Sequence, residues 1–165
     1  MYTASEIAEW FIIKTNAEIK TNQAENDMYD VYEGLTHLKL QKLLYFAQGV
    51  HLAYLDKPLF DDPIEAWSYG PVVKAVYDQY QKFKREPIKI EITKQIEKLI
   101  TQISMDSETY KVLEFVYDNF AIYTAWKLVE MAHADGTPWL KAKENNEKII
   151  NQDDIKKYFS EEVLN

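Results

Sequence analysis

Three histidines, His37, His51 and His133, are the first residues in the sequence that could hold a metal ion or move protons. His37 and His51 lie on one predicted helix, and at its rise per residue they are roughly 21 Å apart, which is too far to share an ion. His51 falls within an apolar arc of that helix, which favours a hydrogen-bonded core histidine. We expect His133 to tie the end of its helix to the following turn, near Trp139.

Three carboxylates, Asp61, Asp62 and Glu65, could form an acid–base pair or a magnesium site. Asp61 and Asp62 precede Pro63, however, and this pattern is equally typical of a turn whose side chains accept backbone N–H bonds. We interpret Glu65 as a hydrogen-bonding residue that sets the local backbone. The sequence has no cysteine, no glycine-rich phosphate loop and no GxSxG motif. It therefore predicts no catalytic residue, metal site or cofactor, and the protein is not expected to be an enzyme.

The segment IEAWSYGPVV, residues 64–73, concentrates aromatic and turn-forming residues beside these carboxylates. Alternation of apolar and polar residues before Gly70 predicts a short extended segment. Pro71 is suited to the first position of a helix, because its missing N–H would be unpaired there anyway. Apolar residues then recur at helical spacing up to Phe83. We expect a rigid aromatic corner that leads directly into a helix.

The N-terminal region is predicted to be one helix followed by an acidic connector. Thr3 and Glu6 have capping-box spacing, and the helix is expected to end near Thr15. Residues 16–34 are polar and are predicted to form a long connector, part of which could be helical. Its acidic residues are Glu18, Glu25, Asp27, Asp30 and Glu33. Tyr29 and Tyr32 could anchor this connector to the body or contact a partner.

The second helix is predicted to be the centre of the fold. Thr36 can cap its N-terminus, and Leu35 and Leu40 have the spacing of a hydrophobic staple. Its apolar residues form arcs on two sides, so neighbours should pack on it from both directions. Further helices are predicted over about 94–103, 107–120, 124–133, from 138, and 151–164. With short strands or a hairpin near 58–69 and 87–92, the sequence indicates a mainly α single domain spanning residues 1–165.

Composition limits the possible partners. The chain carries 27 acidic against 19 basic side chains, a net charge of −8. This charge disfavours nucleic-acid binding, because phosphate contacts need clustered Lys and Arg. It suits a basic protein partner, although it could also serve solubility alone. No apolar run reaches membrane-spanning length and no signal peptide is evident, so we expect a cytoplasmic protein.

Three ordered motifs resemble the Panacea antitoxin domain, also called SocA-like. Residues 38–49, LKLQKLLYFAQG, resemble the family's KLQKLLYYAQG helix. KPLF at 57–60 and IEAWSYGPVV at 64–73 resemble its KPLF…IEAWxYGPVV segment. AWKL at 125–128, followed by His133 and by PW at 138–139, is similar to its AWxL…TH…PW signature. The resemblance covers about residues 36–143.

The resemblance implies an antitoxin that neutralises a cognate toxin by direct protein–protein binding, with no cofactor. An alternative is a proteolytic adaptor that delivers the toxin for degradation, and a third is a metal-dependent enzyme. Aromatic anchors on a rigid scaffold often dominate the energetics of interfaces. For each aromatic residue, burial in the core is the competing interpretation. The predicted partner-binding residues are Tyr45, Glu65, Trp67, Tyr69, His133 and Trp139.

Overall fold

The computed structural model describes residues 1–25 and 34–165, without the side chains of residues 21–25. The helices are α1 (Ala4–Glu25), α2 (His37–Leu55), α3 (Lys74–Tyr80), α4 (Lys94–Met105), α5 (Ser107–Phe120), α6 (Ala125–His133), α7 (Pro138–Glu144) and α8 (Gln152–Tyr158). Strands β1 (Glu65–Trp67) and β2 (Gly70–Val72) pair in an antiparallel hairpin. The predicted mainly α fold is confirmed. No helix in the described part of the chain is long and apolar enough to cross a membrane.

Helix α2 is the central element of the fold. Every residue from Leu40 to Leu52 is buried, which is possible only when neighbours cover the helix on all sides. The neighbours are α1, α3, α5, α6, α8 and β2. The prediction of a central helix packed from both directions is therefore confirmed.

The C-terminal end of the chain closes the core against α2. Phe159 begins a π-helical turn, Phe159–Val163, and its ring lies edge-on to Tyr45 and Phe46. A Cβ atom at Gly49 would lie 2.4 Å from the Phe159 ring, closer than van der Waals contact allows. Gly49 therefore lets this aromatic side chain pack directly on the backbone of α2.

Side-chain caps fix where the helices begin, as the sequence predicts. Thr3 and Glu6 form the reciprocal capping box at α1, with backbone N–H bonds of 3.1 and 2.9 Å. Thr36, Thr124 and Asn151 cap α2, α6 and α8 through their side-chain oxygens. Each cap satisfies an N–H group that the helix itself leaves unpaired.

Buried polar side chains of α2 hold the segment that follows it. Gln48 accepts bonds from the backbone N–H groups of Leu59 and Phe60, at 2.8 and 3.3 Å, and donates to the Phe60 carbonyl at 2.8 Å. Gln41 accepts from the Val73 N–H at 2.7 Å and donates to the Val73 carbonyl at 3.2 Å. These side-chain amides bond to peptide groups that would otherwise be buried without hydrogen bonds, as a neighbouring strand does in a sheet.

Helix α1 is longer than the sequence analysis predicted. It continues from the expected end near Thr15 to Glu25. No glycine or proline interrupts residues 15–25, and Lys14 pairs with Glu18 at 3.5 Å across one helical turn. The expected connector is therefore helical at its start. Asp27, Tyr29, Asp30, Tyr32 and Glu33 lie outside the described residues.

The hairpin and the start of α3 also differ from the prediction. The paired strands occupy 65–72 rather than 58–69, and Pro71 belongs to β2 instead of opening the helix. Helix α3 begins three residues later, at Lys74. Pairing of Pro71 with Ala66, and of Val73 with Gln41, keeps this backbone extended. A tertiary contact thus outweighs the local preference for a helix after Gly-Pro.

No strand forms at residues 87–92, where one was predicted. Ile88 is buried, and its N–H donates to the Leu35 carbonyl at 2.8 Å. A single bond of this kind attaches the segment to the start of α2 without building a ladder. The alternating pattern therefore reflects one buried side chain in an irregular connection.

We predict that Gln48→Met destabilises the protein although the two side chains are similar in size. The backbone groups of Leu59 and Phe60 would lose their partners, and each buried unpaired group costs about 1–3 kcal/mol. Urea unfolding should show a loss of at least about 2 kcal/mol. Gln95→Met, on the exposed face of α4, is the matched control and should change little. Equal effects of the two substitutions would contradict the role assigned to Gln48.

Candidate binding site

The tip of the hairpin is a two-residue turn on the protein surface. Ser68 and Tyr69 are exposed and connect the pair Trp67–Gly70. Gly70 has φ +109°, a conformation that side chains rarely adopt. Both strands are short, so contacts beneath the turn must hold its geometry.

Tyr69 and Trp126 form an exposed aromatic pair at this turn. Their rings meet edge-to-face, with centroids 5.8 Å apart. Tyr69 is 62% exposed and Trp126 is 61% exposed, although large aromatic residues are usually covered. Ile122 and Tyr123, in the connection that leads into α6, are also exposed. We call Tyr69 and Trp126 the aromatic pair.

Trp139 and Trp67 support the turn from the protein side. The Trp139 indole Nε1 donates to the Trp67 carbonyl at 2.8 Å, and its ring is stacked on His133 with centroids 3.8 Å apart. Trp67 in turn meets Tyr77 of α3 at 4.8 Å. These contacts tie the end of β1 to α7 and to α3. A turn fixed in this way loses little conformational entropy when a partner binds.

Lys42 of α2 lies directly beneath the turn. It is fully buried, and its Nζ donates to the Pro71 carbonyl at 3.2 Å. A Cβ atom at Gly70 would lie 2.8 Å from Lys42 Cε and 3.6 Å from His133 Nε2. The φ angle favours glycine at this position, and the missing side chain also leaves room for the end of Lys42. Burial lowers the pKa of Lys42 to about 7.

Two histidines face the same region as Lys42. Burial and the Lys42 charge both lower the pKa values of His37 and His133. Among the residues that the structure describes, His37 Nδ1 and His133 Nε2 are buried and have no hydrogen-bond partner. The ring of His37 contacts Tyr77, at 5.6 Å between centroids. The underside of the turn is thus lined by basic groups that favour their neutral forms.

Glu65 and Tyr45 lie apart from the aromatic pair. Glu65 is 5% exposed and forms an ion pair with Lys148 at 3.4 Å. Tyr45 is 1% exposed, inside the core beside Phe46 and Phe159. Of the six predicted partner-binding residues, the structure brings four together at the turn. They are Trp67, Tyr69, His133 and Trp139.

Asp62 and His51, two of the side chains that could have formed a chemical site, make hydrogen bonds within the fold. Asp62 accepts the Ala4 N–H at 2.8 Å, at the start of α1. His51 is buried, with Nδ1 2.7 Å from the Lys57 carbonyl and Nε2 3.4 Å from Thr109 Oγ1. This agrees with the expected hydrogen-bonded core histidine. Among the described residues, no group of three His, Asp or Glu side chains could hold a metal ion.

Comparison with known proteins identifies the family. The family model described as antitoxin SocA-like, Panacea domain, matches residues 40–140, more than half of the chain. The chain belongs to the SocA-like Panacea family. Antitoxin SocA of Caulobacter vibrioides (strain NA1000 / CB15N) is 34% identical over 112 residues, which cover 64% of this chain and 58% of that protein. The match thus spans little more than half of the relative's length, and no solved structure shows a significant match to the chain.

The three Panacea motifs, far apart in sequence, meet at the turn. The first supplies Lys42 from α2, the second forms the hairpin, and the third supplies Trp126, His133 and Trp139 from α6 and α7. The matched region therefore corresponds to one structural unit that holds and surrounds the turn.

Sequence reasoning missed two residues of this site, Lys42 and Trp126. Lys42 had a usable signal, because it lies four positions after Leu38 and three before Tyr45, on an apolar arc of α2. For Trp126 the spacing was misleading. It precedes Val129 and His133 at helical intervals, yet only Val129 is buried. Its position in the first turn of α6 leaves it at the surface.

We predict that the buried Lys42 makes stability depend on pH in the alkaline range. Its pKa is lowered from 10.5 in the unfolded chain to about 7 in the folded protein. Between these values the unfolded state binds more protons, so the free energy of unfolding should rise with pH. Each pKa unit corresponds to about 1.4 kcal/mol, which makes the total several kcal/mol.

Lys42→Met removes this dependence and isolates it from other titrating groups. Denaturant unfolding of both proteins between pH 7 and about 10 covers the window set by the two pKa values. Burial and the Lys42 charge lower the pKa values of His37 and His133 from 6.5, and therefore away from this window. The stability of the wild type relative to Lys42→Met should increase steadily with pH. A constant difference would show that Lys42 is not desolvated in the folded protein.

Proposed function

We propose that this protein is an antitoxin that neutralises a protein toxin by binding it at the aromatic pair. Membership of the Panacea family supports the antitoxin role, as does similarity to a relative named as an antitoxin. The observation that carries the choice of surface is the exposure of Tyr69 and Trp126 together, above a turn that all three family motifs support.

The geometry of the pair suits a protein interface. Tyr and Trp offer large contact areas with few rotatable bonds, and such residues dominate binding energy when a partner covers them. Tyr69 and Trp126 already hold each other edge-to-face in the unbound chain. The partner therefore meets a largely ordered surface, and little of the contact energy is lost in ordering it.

The predicted partner-binding residues have different parts in this proposal. Tyr69 contacts the toxin. Trp67, His133 and Trp139 fix the turn from beneath, and Trp67, which is only half-buried, can touch the partner at its edge. Glu65, paired with Lys148, supports β1. Tyr45 is left out of the binding surface, because its ring is enclosed in the core.

The charge of the chain indicates the chemistry of the toxin. A net charge of −8 attracts a basic protein and speeds its association, an effect that salt screens. We therefore propose a basic toxin that covers the aromatic pair with an apolar part of its surface. Association should slow as salt is raised, while the apolar contact maintains binding.

Co-expression with the product of the adjacent gene tests the antitoxin role. The growth of cells producing that protein should be restored by this chain, and the two proteins should co-purify. Residual toxin activity of the purified complex, without any protease, then separates masking from proteolytic delivery. Masking leaves the complexed toxin inactive, whereas full activity in the complex would favour the adaptor. Absence of both rescue and co-purification would contradict a toxin encoded next to the antitoxin.

We predict that Tyr69→Ala and Trp126→Ala each weaken toxin binding by roughly 30-fold, the equivalent of about 2 kcal/mol for a hot-spot residue. Titration calorimetry of the purified pair measures the change. The matched control is Tyr54→Ala, because Tyr54 is 65% exposed near the end of α2 and belongs to no part of the turn. An equal loss in the control, or no loss in either variant, would place the toxin elsewhere on the surface.

A further inference from the structure

Lys42 is an unusual side chain to bury at the centre of a fold. Its residue is 0% exposed, and within the described part of the chain its Nζ has one hydrogen-bond partner, the Pro71 carbonyl. Among the side chains that the structure describes, no carboxylate forms an ion pair with it. Burying a lysine without an anion costs stability in either protonation state, because a carbonyl dipole replaces only part of the hydration that the ammonium form loses, and the neutral form gives up a proton that the unfolded chain keeps.

The neighbouring glutamines show that neutral side chains of α2 can bind the backbone of the segment that follows the helix. Gln41 pairs with both the N–H and the carbonyl of Val73, and Gln48 uses both ends of its amide in the same way. The oxygen and the nitrogen of each of these neutral amides are both bonded within the fold. Lys42 adds a single bond at a much higher desolvation cost, so stability alone does not account for a lysine there.

The place where Lys42 acts is the underside of the turn. Pro71 follows Gly70, and Gly70 follows Tyr69, so the bonded carbonyl is two residues from the exposed ring of the aromatic pair. The missing side chain of Gly70 leaves room for the Lys42 stem, which would be 2.8 Å from a Cβ atom there. Gln41 of α2 bonds to Val73, the residue after β2, whereas Lys42 bonds to the Pro71 carbonyl within β2 itself.

We propose that Lys42 is a positioning residue, whose bond to the Pro71 carbonyl fixes the turn so that Tyr69 stands beside Trp126 in the geometry that the toxin binds. The inference rests on the proposed function for its last step, toxin binding, while the positioning of the turn stands on the contacts alone. The burial of Lys42 lowers the stability of the fold, and its function is to order the binding surface.

Lys42→Met tests the inference, because methionine keeps the length and apolar stem but removes the charge and the donor. Hydrogen–deuterium exchange of the toxin-free protein at pH 7 reports the turn directly. Amides of residues 66–70 and of Val72 should exchange at least about tenfold faster, because the bond that Lys42 donates to the Pro71 carbonyl is lost. Amides of α5, which report global opening, should exchange no faster than in the wild type. Toxin binding should weaken by at least about tenfold.

Lys98→Met, an exposed lysine on α4, is the matched control and should leave exchange and binding unchanged. Unchanged exchange at residues 66–72 in Lys42→Met would overturn the inference. Uniformly faster exchange, α5 included, would overturn it too, because Lys42 would then be an ordinary stabilising residue. A loosened turn with unaltered toxin affinity would overturn the link to binding.

Gly70→Ala approaches the same contact from the other side and covers the case in which Lys42→Met does not fold. Alanine at φ +109° is strained in itself, and its methyl group would also lie 2.8 Å from Lys42 Cε, so the substitution should loosen the turn on its Lys42 side. Faster exchange at residues 66–72 and weaker toxin binding are expected, and normal exchange would count against the role of Lys42. If the wild type binds no toxin, the proposed function fails, while the exchange data still decide whether Lys42 positions the turn.

Discussion

The structure depends on hydrogen bonds between buried polar side chains of α2 and the irregular backbone of residues 57–73. Four buried side chains of α2 form hydrogen bonds with peptide groups of that segment: Gln41, Lys42, Gln48 and His51. A short hairpin cannot pair all its own peptide groups, and unpaired groups are costly inside a protein. A rigid helix with polar side chains in its buried part solves this problem. It also fixes the hairpin relative to α6 and α7, where the remaining parts of the site lie.

This arrangement explains why three sequence motifs far apart in the chain occur together. The motif on α2 combines apolar residues that fill the core with polar residues that hold the hairpin, and Gly49 gives Phe159 access to its backbone. The hairpin motif supplies the turn. The third motif supplies Trp139, which binds the Trp67 carbonyl, and Trp126, which meets Tyr69. We attribute binding to an ordered surface rather than to reactive groups.

Much of the fold was predictable because local signals were consistent with the tertiary structure. Thr3, Thr36, Thr124 and Asn151 start their helices as expected, and the two-sided apolar pattern of α2 identified the central helix. The hairpin could not be placed correctly, because Gly-Pro favours a helix locally while Gln41 holds Val73 extended from a distance. For the same reason the site was only partly predicted. Residue type suggested Tyr69 and Trp67, but the burial of Tyr45 and the exposure of Trp126 depend on which neighbours cover them.

Hydroxyl-radical footprinting of the chain, alone and in complex with its toxin, tests most directly whether the aromatic pair is the binding surface. Tyr69 and Trp126 are 62% and 61% exposed, while Tyr54 and Met105, on α2 and α4, are 65% and 80% exposed and serve as internal references. The toxin should protect Tyr69 and Trp126 from oxidation and leave Tyr54 and Met105 reactive. Continued oxidation of the aromatic pair in the complex, with protection at Tyr54 or Met105, would contradict it.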